Sequence, residues 1–245
     1  MLVPLLITEG ISELPLPPSS YFKTINKFLK PLPAIEPLLT NLKTLESHEQ
    51  NNPKVLLIFI GGFMDSKHLA VFREFASFKQ NKCSKFATIT AKAYATFNSK
   101  ALFRAWLPIL IDQEYELYII SHSWGAANIL KVLSAFEKSK NPLPKNSIKL
   151  LITLDPVGYW RLKQKPTNIQ KWINIYIEDK WRVLKVSNLC SYIGHAWNHC
   201  NNADKEIILT NYHSNGISDK ILHHASVGSM LKAFNNEKDF LSKIL

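Results

Sequence analysis

The chain has 245 residues, 46% hydrophobic and 20% charged, enough apolar side chains to bury a core and too ordinary a balance for intrinsic disorder. At about 150 residues per domain the length allows one or two, and α/β folds of this size stay single. Thirty Lys and Arg against 19 Asp and Glu leave a net charge of +11, which favours an anionic partner without choosing between nucleic acid, an acidic membrane and a phosphorylated substrate.

No apolar run reaches the roughly 18 residues of a membrane helix. Met1 to Ile7 is apolar but has no cation ahead of it, and Glu9 and Glu13 follow without a small-residue cleavage site. This reads against Sec export and for a cytoplasmic protein. Residues 1–53 hold eight of the thirteen prolines, a density that breaks long helices. They read as an irregular arm with short helices, packing on a domain that spans 54–245.

From Val55 onward, buried-strand runs alternate with amphipathic segments. The expected strands are Val55–Ile60, Phe86–Ala91, Glu116–Ile120, Ile148–Leu154, Ile173–Ile177 and Glu206–Thr210. The expected helices are His68–Lys79, Ser99–Ile111, Trp124–Lys138 and a last one within Ser226–Ile244. Val-, Ile- and Leu-rich strands alternating with helices of this length predict an α/β fold, a mostly parallel sheet with helices on both faces. Ligands of such sheets bind at the C-terminal strand ends.

The strongest chemical signal is Ser121-His122-Ser123-Trp124-Gly125, where an apolar strand turns at once into a helix. A serine at that apex projects above the sheet, and small residues two positions either side let strand and helix pass closely. The simpler alternative is a helix-capping serine. Pattern and context together make Ser123 the candidate nucleophile.

This string resembles the G-H-S-W-G-G form of the nucleophile elbow of α/β-hydrolases, over about residues 55–244. Ser121 replaces the first glycine and Ala126 the last. The resemblance implies a Ser-His-acid triad, an oxyanion hole and no cofactor. Gly61-Gly62-Phe63 follows the first strong strand, where these hydrolases place an oxyanion turn. By that alignment the N–H groups of Phe63 and Trp124 hold the oxyanion.

For the triad acid, Leu154-Asp155-Pro156 at a strand end looks like the string of lipase-type members, and Asp155 leads. Glu178 and Asp179 after the next strand are the alternative placement, and a turn aspartate before proline is the plain one. The base follows the last strand, since the order is Ser, acid, His. His213, His223 and His224 qualify. His224 leads, because His223-His224-Ala225-Ser226 precedes the closing helix and Ser226 reads as its N-cap.

Residues 180–205 form a long connection rich in Trp181, Leu184, Tyr192 and Trp197, which reads as a cap or lid over an apolar substrate, or as a loop folded on the core. His195, His199, Cys190 and Cys200 offer a zinc set, but Ala196 stands where a zincin needs glutamate, so no metal is expected. Cys83, Cys190 and Cys200 are too few for a disulfide framework, leaving only a Cys190–Cys200 bridge open. The lysines are scattered and no nucleic-acid motif is present, so the basic excess reads as a solvated surface and not a nucleic-acid site. The sequence thus points to a serine esterase or lipase acting on a lipid or other apolar acyl ester, with peripheral contact to an anionic membrane as a further expectation. The alternative is a non-catalytic hydrolase-fold module that binds membranes or proteins.

Overall fold

The computed structural model describes residues 6–9, 15, 54–63, 65–78, 89–213, 216–217 and 221–236. Seven strands form one sheet in the order β1-β3-β2-β4-β5-β6-β7. They are β1 (Leu6–Glu9), β2 (Val55–Ile60), β3 (Ile89–Ala95), β4 (Glu116–His122), β5 (Ile148–Leu154), β6 (Ile169–Ile177) and β7 (Lys205–Leu209). From β3 to β7 every neighbouring pair is parallel, and β1 runs antiparallel on the edge. The connecting helices are α1 (Asp65–His68), α2 (Ala70–Ser77), α3 (Lys100–Asp112), α4 (Trp124–Glu137), α5 (Val186–Ile193) and α6 (Val227–Asn236).

Side chains alternate across the pleat and feed two cores. Leu56, Ile58, Ile60, Leu117 and Ile119 pack with Trp106 of α3 and Leu130 of α4 on one face. Val55, Leu57, Phe59, Tyr118 and Ile120 pack with Phe72 of α2 and Met230 of α6 on the other. Two-sided burial is why these strands read as continuous apolar runs. Strand order reverses around β2, which lies between β3 and β4. The chain therefore opens a crevice where β2 and β4 end side by side, Ile60 opposite Ser121.

The structure adds one strand to the sequence reading and moves the end of another. Near the start of the N-terminal arm, Leu6 to Glu9 pair with Ala95 to Lys92, and Leu6 and Ile7 pack on opposite faces of the sheet. An edge strand tolerates nearby prolines because one side of its ladder is unpaired. The short helices expected in that arm lie outside the described residues. β3 runs on to Ala95, beyond the expected end at Ala91, because Lys92 is accommodated inside. Its ammonium donates to the carbonyls of Phe75 (2.9 Å) and Phe78 (3.0 Å), so a charge that reads as a strand end is buried with partners.

Candidate active site

β4 ends at His122 and α4 begins at Trp124, leaving Ser123 alone to make the turn. Its φ of 57° and ψ of −128° are a conformation L residues rarely adopt, costing about 1–3 kcal/mol. The turn is held by bonds from Ser123 N–H to the Leu154 carbonyl (3.0 Å) and from the N–H groups of Ala126 (3.1 Å) and Val157 (3.2 Å) to the Ser123 carbonyl. Gly125 is required by contact: a Cβ there would lie 2.3 Å from the Gly61 carbonyl oxygen. Ser121 needs no such space, because its hydroxyl donates to the Ile152 carbonyl at 3.2 Å within the sheet.

Three residues distant in sequence meet at this turn. His224 Nε2 lies 2.8 Å from Ser123 Oγ, and His224 Nδ1 lies 2.5 Å from Asp155 Oδ2. The carboxylate fixes the tautomer: Nδ1–H donates to it, which leaves Nε2 to accept from the serine. Asp155 also has positive φ, 43°, in a region that aspartate and asparagine enter more readily than other side chains. Burial alone would raise the Asp155 pKa, but the hydrogen bond from His224 and the Lys180 charge outweigh it and hold the carboxyl below its usual range.

Three supporting residues were not assigned from sequence. Lys180 is buried and donates to Asp155 Oδ1 at 2.6 Å. Asn188 accepts the His224 N–H at 2.7 Å, while its amide donates to the carbonyls of Lys180 (2.7 Å) and Val183 (2.8 Å). His122 donates from Nε2 to the His224 carbonyl at 2.8 Å. Burial, then the neighbouring His224, pulls the His122 pKa down to about 3, so its ring is neutral. His122 stood in the recognised motif, but its role depends on a partner 102 positions away; Lys180 and Asn188 carried no motif at all.

The turn after β2 lies against the elbow: a Cβ on Gly62 would be 2.8 Å from Ser123 Cβ. Neither Phe63 N–H nor Trp124 N–H has an acceptor among the described residues. Asp65 anchors this turn, accepting from Tyr94 Oη (2.8 Å) and from the N–H groups of Val71 (3.0 Å) and Phe72 (3.3 Å). Ser123 and His224 open into a mostly apolar cavity of about 230 Å³ walled by Phe63, Trp124, Val186, Cys190 and Ile193. Phe63 and Trp124 pack ring on ring at 5.4 Å.

Of the alternative residues, Asp179 and His223 have other partners. Asp179 accepts from the Asn211 N–H (2.9 Å) and the Thr210 hydroxyl (2.7 Å), and Glu178 is exposed. His223 Nδ1 accepts from the Ala225 N–H at 3.3 Å. His213 belongs to a two-stranded ribbon of β8 (Tyr212–His213) and β9 (Gly216–Ile217). The long connection is ordered into a 3₁₀ turn at Lys180–Arg182 and α5. Its tryptophans divide: Trp197 is 2% exposed, with its indole bonded to the Gly158 carbonyl, whereas Trp181 is 68% exposed. Neither lines the cavity; α5 does. Cys190 and Cys200 are both free thiols, and burial pushes that of Cys200 up to about 12. Among the described residues no group of three His, Cys, Asp or Glu converges as a metal site, and no helix is long and apolar enough to cross a membrane.

A seven-stranded sheet with β1 antiparallel, a serine elbow after β4, an acid after β5 and a histidine after β7 is the α/β-hydrolase fold. Among solved structures the chain is similar to an α/β serine hydrolase without lid from Xanthomonas campestris, at 10% identity and TM-score 0.41, covering 80% of this chain and 84% of that one. It is similar also to a protein of unknown function from Agrobacterium tumefaciens proposed to be an α/β-hydrolase, at 11% identity and TM-score 0.46, covering 80% and 88%. An uncharacterised protein from Capnocytophaga ochracea aligns at 9% identity and TM-score 0.41, over 80% and 59%. No protein-family model matches the chain, and no curated protein matches its sequence.

Proposed function

We propose that the protein is a serine hydrolase that cleaves carboxylic esters with an apolar acyl group. The observation that carries this reading is the continuous hydrogen-bonded chain Ser123–His224–Asp155 on a strained elbow. A packing arrangement has no need for strain at the serine of such a chain; a nucleophile does.

In the reaction, Ser123 Oγ attacks the ester carbonyl carbon as His224 Nε2 takes its proton. The tetrahedral oxyanion lies between the N–H groups of Phe63 and Trp124, two donors that need no reorganisation as charge develops. On collapse the ester C–O bond breaks and His224 returns the proton to the departing alcohol. Water then attacks the acyl-enzyme by the same base, releasing the acid and restoring Ser123. Asp155 holds the imidazole orientation and stabilises its cation. The apolar walls from Phe63, Val186 and Ile193 support an apolar acyl chain, and the chain's own residues suffice for every step.

Labelling with a fluorophosphonate tests the reading. The wild type is expected to react covalently and Ser123→Ala not at all, with esterase turnover in the folded variant down by several orders of magnitude. Absence of labelling in the wild type returns the chain to the non-catalytic alternative.

A further inference from the structure

Beside the catalytic cavity lies a second groove of about 600 Å³, and the two share a wall of His68, Ala70, Val186, Ser187 and Ala225. The groove's lining is mostly apolar too, but unlike the cavity's it includes a guanidinium and an ammonium. Arg73 of α2 and Lys185, just before α5, enter it with the imidazoles of His68 and His223. Among the described residues neither Arg73 nor Lys185 forms an ion pair. The one carboxylate in the lining, Glu74, is directed at the first turn of α6, where its Oε1 would lie 2.7 Å from a Cβ on Gly228.

Cations gathered on a concave wall without their own carboxylates raise the local potential and concentrate anions. Guanidinium forks suit phosphate oxygens in particular, and an ammonium adds a point charge. The groove's position says which part of the substrate carries that charge. His224 must hand its proton to the leaving group, so the leaving group departs on the His224 side. The groove opens on that side, through His223, Ala225 and Ser226.

We propose that this groove is the leaving-group subsite, and that it binds a phosphate-class anion on the alcohol half of the substrate while the apolar cavity takes the acyl chain. The proposal rests on the esterase reading for its orientation, but the anion preference is measurable without turnover. Phosphate of this kind is carried by a phospholipid headgroup or by a soluble acyl ester.

The test uses the whole chain and two amphiphiles of one alkyl length, a monoalkyl phosphate and a neutral alkyl glucoside, both below their micelle concentrations, with binding followed by calorimetry. The phosphate is expected to bind at least tenfold more tightly. Arg73→Gln with Lys185→Gln, both at exposed positions, should erase that preference, whereas Lys163→Gln, an exposed lysine outside the groove, should keep it. Equal affinities overturn the proposal, as does a preference that survives the double variant. Vesicles of phosphatidylglycerol, set against monomeric phosphate amphiphile, separate the two sources. A phosphate preference confined to vesicles and indifferent to the double variant is membrane adsorption and also overturns it. Loss of fluorophosphonate labelling with the preference intact would fell the esterase reading and leave the anion site standing.

Discussion

Lys180 donates to Asp155 Oδ1 at 2.6 Å, while the other oxygen of the same carboxylate holds His224. Lys180 is 5% exposed, so the cation acts on the acid with little screening from solvent. It places a positive charge one carboxylate away from the imidazole that becomes cationic in the proposed reaction. The other ionisable group facing that ring, His122 from β4, is neutral.

Replacing Lys180 by Gln removes that charge and keeps a donor. Asp155 is then left a buried carboxylate without its counter-cation. Breaking the buried pair should cost about 3 kcal/mol of stability. Urea unfolding of the variant decides it: unchanged stability means that the Lys180–Asp155 pair contributes nothing to holding the carboxylate in place.

The choice of acid is open to a direct comparison. Asp155 sits at φ 43°, which asparagine tolerates, so Asp155→Asn tests chemistry rather than backbone. It should lower kcat about 10⁴-fold by spoiling the imidazole tautomer. Asp179→Asn weakens the hold on Asn211 and Thr210 and should cost about 1–3 kcal/mol of stability with kcat within tenfold. The reverse ranking in single-turnover assays would move the acid to Asp179.

What could be read from the sequence follows from the range of each interaction. Strands such as Val55–Ile60 and Ile148–Leu154 announce themselves because both faces are buried, and the elbow because strand, serine and glycine are adjacent. Leu6–Glu9 was hidden because a four-residue edge strand has no pattern beyond its own partner. Lys180 and Asn188 were hidden for a related reason. Their significance lies in bonds to Asp155 and His224, and a lysine or asparagine in a loop reads as solvated until the fold brings the partner. The tryptophans of the cap misled because aromatic content in a long connection does not say which rings face inward.

Substrate selectivity should therefore follow α5 and not those tryptophans. Val186→Ala and Ile193→Ala each remove part of the cavity wall and are expected to lower kcat/KM on long acyl chains by about 1–3 kcal/mol, ten- to a hundredfold, with acetate esters little changed. Trp181→Ala should be silent in that panel. Trp197→Ala should destabilise the fold by about 3–5 kcal/mol and affect all chain lengths alike. Equal losses on short and long esters for Ile193→Ala would place the acyl chain elsewhere.

His122 makes the stability of the fold depend on pH. Its folded pKa is about 3, set mainly by burial, against about 6.5 in an unfolded chain. Between those values the unfolded chain takes up a proton that the native ring refuses, so stability falls as pH falls, by about 1.4 kcal/mol per unit in this window. Asp65 works in the opposite sense: burial raises its folded pKa above 3.8, so in the interval just above that value the native state takes the extra proton. Asp155 reinforces the loss only below 3.8, its ordinary value. Asp65 and Asp155 are common to wild type and a variant that lacks only the His122 ring, so comparing the two isolates the His122 signature. His122→Gln keeps a donor for the His224 carbonyl but cannot titrate, and its stability relative to wild type, from urea unfolding, should improve by about 2 kcal/mol between pH 7 and pH 5. A difference that stays constant across those pH values would mean that the native state accommodates a protonated His122, and that the neutral ring is no part of how the His224 backbone is held.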